Sequence, residues 1–119
     1  MLRLRARHRA LATTREAWTK GQFVEALGAH GVDRLVADFV WDALLPFYHA
    51  SLVPYPDDSI DDLLKIDPED MEDIAAAFWA GAELPVPSAT HPTTIPGRLT
   101  VTGFAQWLDA QARDAGLTG

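Results

Sequence analysis

Apolar residues recur at three- and four-residue intervals through Leu35, Val36, Phe39, Val40, Ala43, Leu44 and Phe47. That spacing predicts an amphipathic helix, with Asp33 as its N-cap. Pro46 removes the donor to the Asp42 carbonyl, so the helix kinks or ends there. Upstream, Thr19 and Gln22 form a capping box, and Phe23, Val24 and Leu27 share one face. Gly28 and Gly31 close that helix, Gly31 as a left-handed C-cap. Ile60, Leu63, Leu64 and Ile66 predict a short helical turn that buries its leucines. A further helix opens with Asp67 as N-cap, Pro68 at the first helical position and Glu69 and Asp70 against the dipole. Its buried face is Met71, Ile74, Ala75, Phe78 and Ala82. The last helix starts near Thr100 or Thr102, carries Phe104, Trp107, Leu108 and Ala112 on one side, and ends at Gly116.

Between these elements, residues 52–58 with Pro54 and Pro56 read as a loop. Residues 84–98, with Pro85, Pro87, Pro92 and Pro96, read as a long irregular connection, unusual in a small domain and expected to be functional or mobile. Leu2, Leu4 and Ala6 alternate with arginines at the period of an edge strand, in a run too rich in arginine to assign. No repeat, heptad or strand pair is evident. The expected fold is all-α, four helices in one bundle packed ridges into grooves.

The length of 119 residues suits one hydrophobic core, and 48% apolar with 23% charged residues argues against disorder. No apolar run approaches the roughly 20 residues that span a bilayer. The arginines at the N-terminus have no apolar stretch behind them, which excludes a secretory signal. Without cysteine there are no disulfides, thiolate nucleophiles or Cys-type zinc sites, and a cytoplasmic location is expected. A net charge of −7 disfavours nucleic acid and anionic membranes and favours a basic partner. That charge is uneven: Arg3, Arg5, Arg7, Arg9 and Arg15 all precede the first acid, Glu16. Residues 1–15 are therefore taken as a basic arm and 16–116 as a single helical domain. The arm can fold onto the chain's own acidic segment, stay solvated, or pair with the acidic helix of a second copy in a homo-oligomer.

Between Asp57 and Asp73 nine carboxylates face one base, Lys65. With no apolar cradle to split their pKa values, a solvated face fits better than acid–base catalysis. Asp57, Ser59 and Asp61 match the opening of a calcium loop, but Asp62 replaces its glycine and Pro68 its final glutamate. His8, His30, His49 and His91 lack metal-ligand spacing. Ser51, Ser59 and Ser88 lie in no Gly-x-Ser-x-Gly context, and there is no glycine-rich phosphate loop. No catalytic, cofactor or metal residue is assigned. Among four tryptophans, Trp41 and Trp79 each follow a core position, as bundle-capping core residues or as interface anchors. Tyr48 and Tyr55 flank the first loop, where they could rim a groove.

Leu63-Leu64-Lys65-Ile66-Asp67-Pro68-Glu69-Asp70-Met71-Glu72-Asp73-Ile74 resembles the acyl carrier protein signature, a hydrophobic loop leading into an Asp-Ser-Leu helix start and an acidic second helix. Glu83-Leu84-Pro85-Val86-Pro87 resembles the exit from that helix, Leu99 to Leu108 resembles the family's final helix, and the helix after Asp33 stands where its long first helix would be. The resemblance covers about residues 33–112 and implies a four-helix acyl-carrier-like bundle with an extra N-terminal helix. Two departures stand out. Pro68 occupies the place of the serine that carries phosphopantetheine, and the connection before the last helix is longer, with four prolines. The resemblance then implies a carrier-like protein without carrier chemistry, binding a basic protein through its acidic helix. Asp61, Asp62, Glu69, Asp70, Glu72 and Asp73 would make the charged contacts, with apolar contact near Trp79. Two alternatives are a genuine phosphopantetheine carrier modified at Ser59, which follows Asp58 and precedes Ile60, and a small regulatory or immunity-type protein whose acidity neutralises a basic effector. A helix opened at Ser59 would meet Pro68 after about two turns and break there.

Overall fold

The structure is a computed structural model that describes residues 2–49, 52–81 and 99–114. The chain is all-α, with no strand among the described residues. It comprises α1 (Leu2–Ala12), α2 (Lys20–Gly28), α3 (Arg34–Leu44), α4 (Pro68–Gly81) and α5 (Val101–Asp114). A 3₁₀ turn, Leu45–Phe47, and a π-type turn, Ile60–Leu64, link them.

The caps sit where local chemistry puts them. The Thr19 hydroxyl accepts from the Gln22 N–H, the Gln22 side chain accepts from the Thr19 N–H, and α2 follows. Gly31 takes the left-handed conformation at φ 83°. The Asp33 carboxylate accepts from the Leu35 N–H at 2.9 Å. Pro46 ends α3 by tightening the next residues into the 3₁₀ turn. Pro68 is the first residue of α4, whose opening turn is closed by the Met71 N–H donating to the Asp67 carbonyl. Thr100 Oγ1 accepts from the Gly103 N–H at 3.0 Å to start α5. Ala82, Gly116 and the 84–98 connection lie outside the described residues.

The core face of α3 is Val36, Ala37, Val40, Trp41 and Leu44. It packs against α2, where Phe23 meets Trp41 edge-on at 5.3 Å, and against α5 through Phe104, Ala105, Leu108 and Ala112. Leu35, expected on this face, is 50% exposed, while Phe39, Ala43 and Phe47 form a second, half-buried line turned toward α4. In α4 the buried residues are Met71, Ile74, Ala75, Phe78 and Trp79. The α4 face packs beside α3 through an edge-to-face pair, Phe39 with Phe78 at 5.1 Å.

Residues 2–12, unassigned by their alternating pattern, are helical. The docking of α1 rests on one fully buried histidine: His8 Nδ1 accepts from the His49 N–H at 3.0 Å, which leaves Nε2 as the donor to the Leu63 carbonyl at 2.9 Å. Arg7 adds donors to the Asp62 carbonyl and carboxylate. The basic segment therefore lies on the chain's own acidic stretch.

A second buried polar centre is Asp58. Its carboxylate receives Arg15 at 2.7 Å, the Tyr48 hydroxyl and the Tyr55 N–H at 3.1 Å. Arg15 also donates to the Val53 carbonyl and lies 3.5 Å over the Tyr55 ring. Burial, with the Asp58 charge beside it, pushes the Tyr48 hydroxyl far above its ordinary range. The Asp58 carbonyl accepts from the Val101 N–H, and the Ile60 N–H donates to the Leu99 carbonyl. These bonds fasten the loop to the start of α5. At the opposite end Asp109, also buried, accepts from the Asp33 N–H and pairs with Arg113, whose guanidinium reaches the Gly31 carbonyl.

Two outcomes are expected. Asp58→Ala strands the buried Arg15 and should lower the unfolding free energy by about 3–5 kcal/mol in urea titration. Stability should also fall as pH drops below about 6.5. Burial, and the charges of His8 and Arg5, hold His49 below its ordinary value of 6.5, so the unfolded chain binds the proton first. Urea midpoints measured from pH 8 to pH 5 should decline, with the decline reduced in His49→Asn.

Candidate functional site

The acidic residues singled out from the sequence separate into two groups. Asp61 and Asp62 belong to the Ile60–Leu64 turn, whose start is capped by the Ser59 hydroxyl accepting from the Asp62 N–H at 2.9 Å. Asp62 faces α1, with Arg7 at 3.2 Å and Lys65 at 3.9 Å. Lys65 ends the turn at φ 55°, a left-handed conformation that reverses the chain toward Asp67. Glu69, Asp70, Glu72 and Asp73 lie instead on the first turns of α4, all exposed. Among the described residues no Lys or Arg pairs with any of the four. Glu69 and Asp70, in the first turn, sit at the positive end of the helix dipole, which stabilises both the charges and the helix.

Trp79 does not join them. It is 3% exposed and packs edge-on against Phe78 at 5.3 Å, so its ring belongs to the core and offers no surface. The sequence pattern placed Phe78 inward; the helix is rotated enough to bury its neighbour as well. Trp41 is likewise a core residue, and Tyr48 is buried on Asp58 and rims nothing.

Apolar surface beside the carboxylates comes from elsewhere. Between α3 and α4 runs an open groove of about 410 Å³. Its floor and walls are Phe39, Ala43, Phe47, Ile74 and Ala77, and its rim carries Asp42, Asp70 and Asp73. Ala43 and Ala77 are small enough to leave depth between the phenyl rings and α4. Of the rim residues, Asp42 shares Lys20 with Asp38, at 3.0 and 2.9 Å, on the side facing α2. Residue typing missed Asp42 as part of the site. The one sequence signal was the width of the α3 stripe, which supplies more apolar positions than a single core face needs.

Among the described residues no group of three or more His, Asp or Glu side chains is placed to hold a metal ion, and no helix is long and apolar enough to cross a membrane. The His8 and His49 rings are tilted against each other 5.1 Å apart in the α1 contact, and His30 is exposed. His91, Ser51 and Ser88 lie outside the described residues. Ser59 is half-buried, its hydroxyl engaged in the turn cap.

No family model matches the chain, and neither a curated protein nor a solved structure is similar to it.

Proposed function

We propose that this protein is a non-catalytic binding module whose acidic α4 receives a basic protein partner. The observation that carries this reading is the run of four exposed carboxylates on α4, Glu69, Asp70, Glu72 and Asp73, with no cation set against them among the described residues. Unneutralised like charges on one short helix repel each other. A basic partner relieves that repulsion and is steered to the site by it, which speeds encounter and selects the partner more than it deepens affinity. The acyl-carrier-like outline of the acidic helix fits this reading, with Pro68 in place of a serine leaving a docking helix without cargo. The Ser59 hydroxyl, occupied as the cap of its turn, supports leaving phosphopantetheine out. A regulatory or immunity-type role would use the same surface, neutralising a basic effector.

The basic N-terminus argues against self-association as the main use of this helix. Arg7 and His8 are spent on contacts within the chain, and a second copy would have to release them.

The triple variant Glu69→Lys/Asp70→Lys/Asp73→Lys should keep its helical circular dichroism and lose capture of basic proteins from host lysate by about tenfold or more. Capture by the unaltered protein should weaken steeply as salt is raised. Undiminished capture by the triple variant would refute the docking role.

A further inference from the structure

The groove between α3 and α4 combines two properties that rarely select the same ligand. Its floor is apolar and partly open: Phe39 and Phe47 are half-buried, Ala77 is exposed, and Ile74 closes the bottom. Its rim carries Asp70 and Asp73 on α4, and Asp42 on α3, which shares Lys20 with Asp38. Among the described residues no Lys or Arg lines it. The rim repels anionic ligands, including carboxylates, nucleic acid and acidic lipid surfaces. A purely hydrophilic basic chain would satisfy the rim and leave the aromatic floor wet. Both demands are met by an element with an apolar stripe flanked by cations, and an open groove between two helices receives such an element as a helix.

We propose that this groove is the docking site for one basic amphipathic helix of a partner protein. Its apolar side chains seat on Phe39, Ala43, Phe47 and Ala77, and its Lys or Arg side chains meet Asp70 and Asp73. The inference rests on the basic-partner reading above and narrows it. Asp70 and Asp73 act directly, whereas Asp61 and Asp62, on the Ile60–Leu64 turn outside the groove lining, do not. The intervening chain segment 82–98 is a poor occupant by charge, with one acid, Glu83, and one base, Arg98. The α1 helix of a second copy has the right charge but is held on its own chain by His8 and Arg7.

The test uses the full chain and three fluorescent probes: a helical leucine–lysine amphipathic peptide, a scrambled peptide of the same composition, and oligolysine. Two folded variants are compared, checked by circular dichroism. Ala77→Trp fills the groove from an exposed position, and Ala76→Trp places the same bulk at an exposed position on α4 that does not line it. Expected is binding of the amphipathic peptide at least about tenfold tighter than of either control, lost about tenfold in Ala77→Trp and unchanged in Ala76→Trp. Equal binding of all three probes, or an indifferent Ala77→Trp, overturns the groove. If the Glu69/Asp70/Asp73 reversal then still abolishes binding, the acidic-helix reading survives without it, and if that too has no effect both fall. Concentration-dependent dimers that disappear in Ala77→Trp and on removal of residues 1–12 would make a second copy the occupant and overturn the assignment to a partner.

Discussion

The buried carboxylate of Asp58 is the constraint on which the arrangement depends. A charge this deep is tolerated only where it is paired and hydrogen-bonded. Asp58 meets that demand by drawing in Arg15 from the α1–α2 link, Tyr48 from the end of α3 and the Tyr55 N–H from its own loop. Its main-chain carbonyl holds the first residue of α5. Four parts of the chain thus converge on one residue, immediately before the turn that delivers α4. Asp58 thereby ties the segment that follows α3 to the segment that leads into α4.

The polar centres divide the labour with the apolar core. Phe23, Trp41, Phe104 and Leu108 join α2, α3 and α5, and Asp109 clamps the α2–α3 turn onto α5. Helix α4 stands beside this unit, joined to α3 by Phe39 and Phe78. Among the described residues nothing covers its acidic first turns or the apolar surface at its inner edge. A helix held this way presents charge and apolar contact together, which is what a recognition surface for a basic helix requires.

What the sequence revealed and what it hid follow from the range of the interactions. The starts of α2, α3 and α5 and the Pro68 opening of α4 were readable because capping acts within three or four residues. The core faces of α2, α5 and most of α4 were readable as well, but the rotation of α3 was not, since tertiary packing decides it. The broad stripe on α3 was treated as one face, yet Leu35 points outward and Phe39, Ala43 and Phe47 line the groove. Trp79 went to the core for the same reason. The helicity of α1 was hidden because its anchor, His8 to the Leu63 carbonyl, joins residues 55 apart in sequence. Composition marks His8, Asp58 and Asp109 as polar and cannot name the partners that bury them. The acidic residues of α4 were legible from their number alone, whereas Asp42 became part of the site only when α3 and α4 came together.

The most direct measurement is an amide ¹H–¹⁵N titration of the full chain with the leucine–lysine peptide, which reports the contact residue by residue. The account predicts perturbations concentrated on Phe39, Asp42, Ala43, Phe47, Asp70, Asp73 and Ala77, with Asp61, Asp62 and α1 unmoved. Perturbations centred on Asp61, Asp62 and Arg7, or spread evenly over every acidic residue, would contradict it.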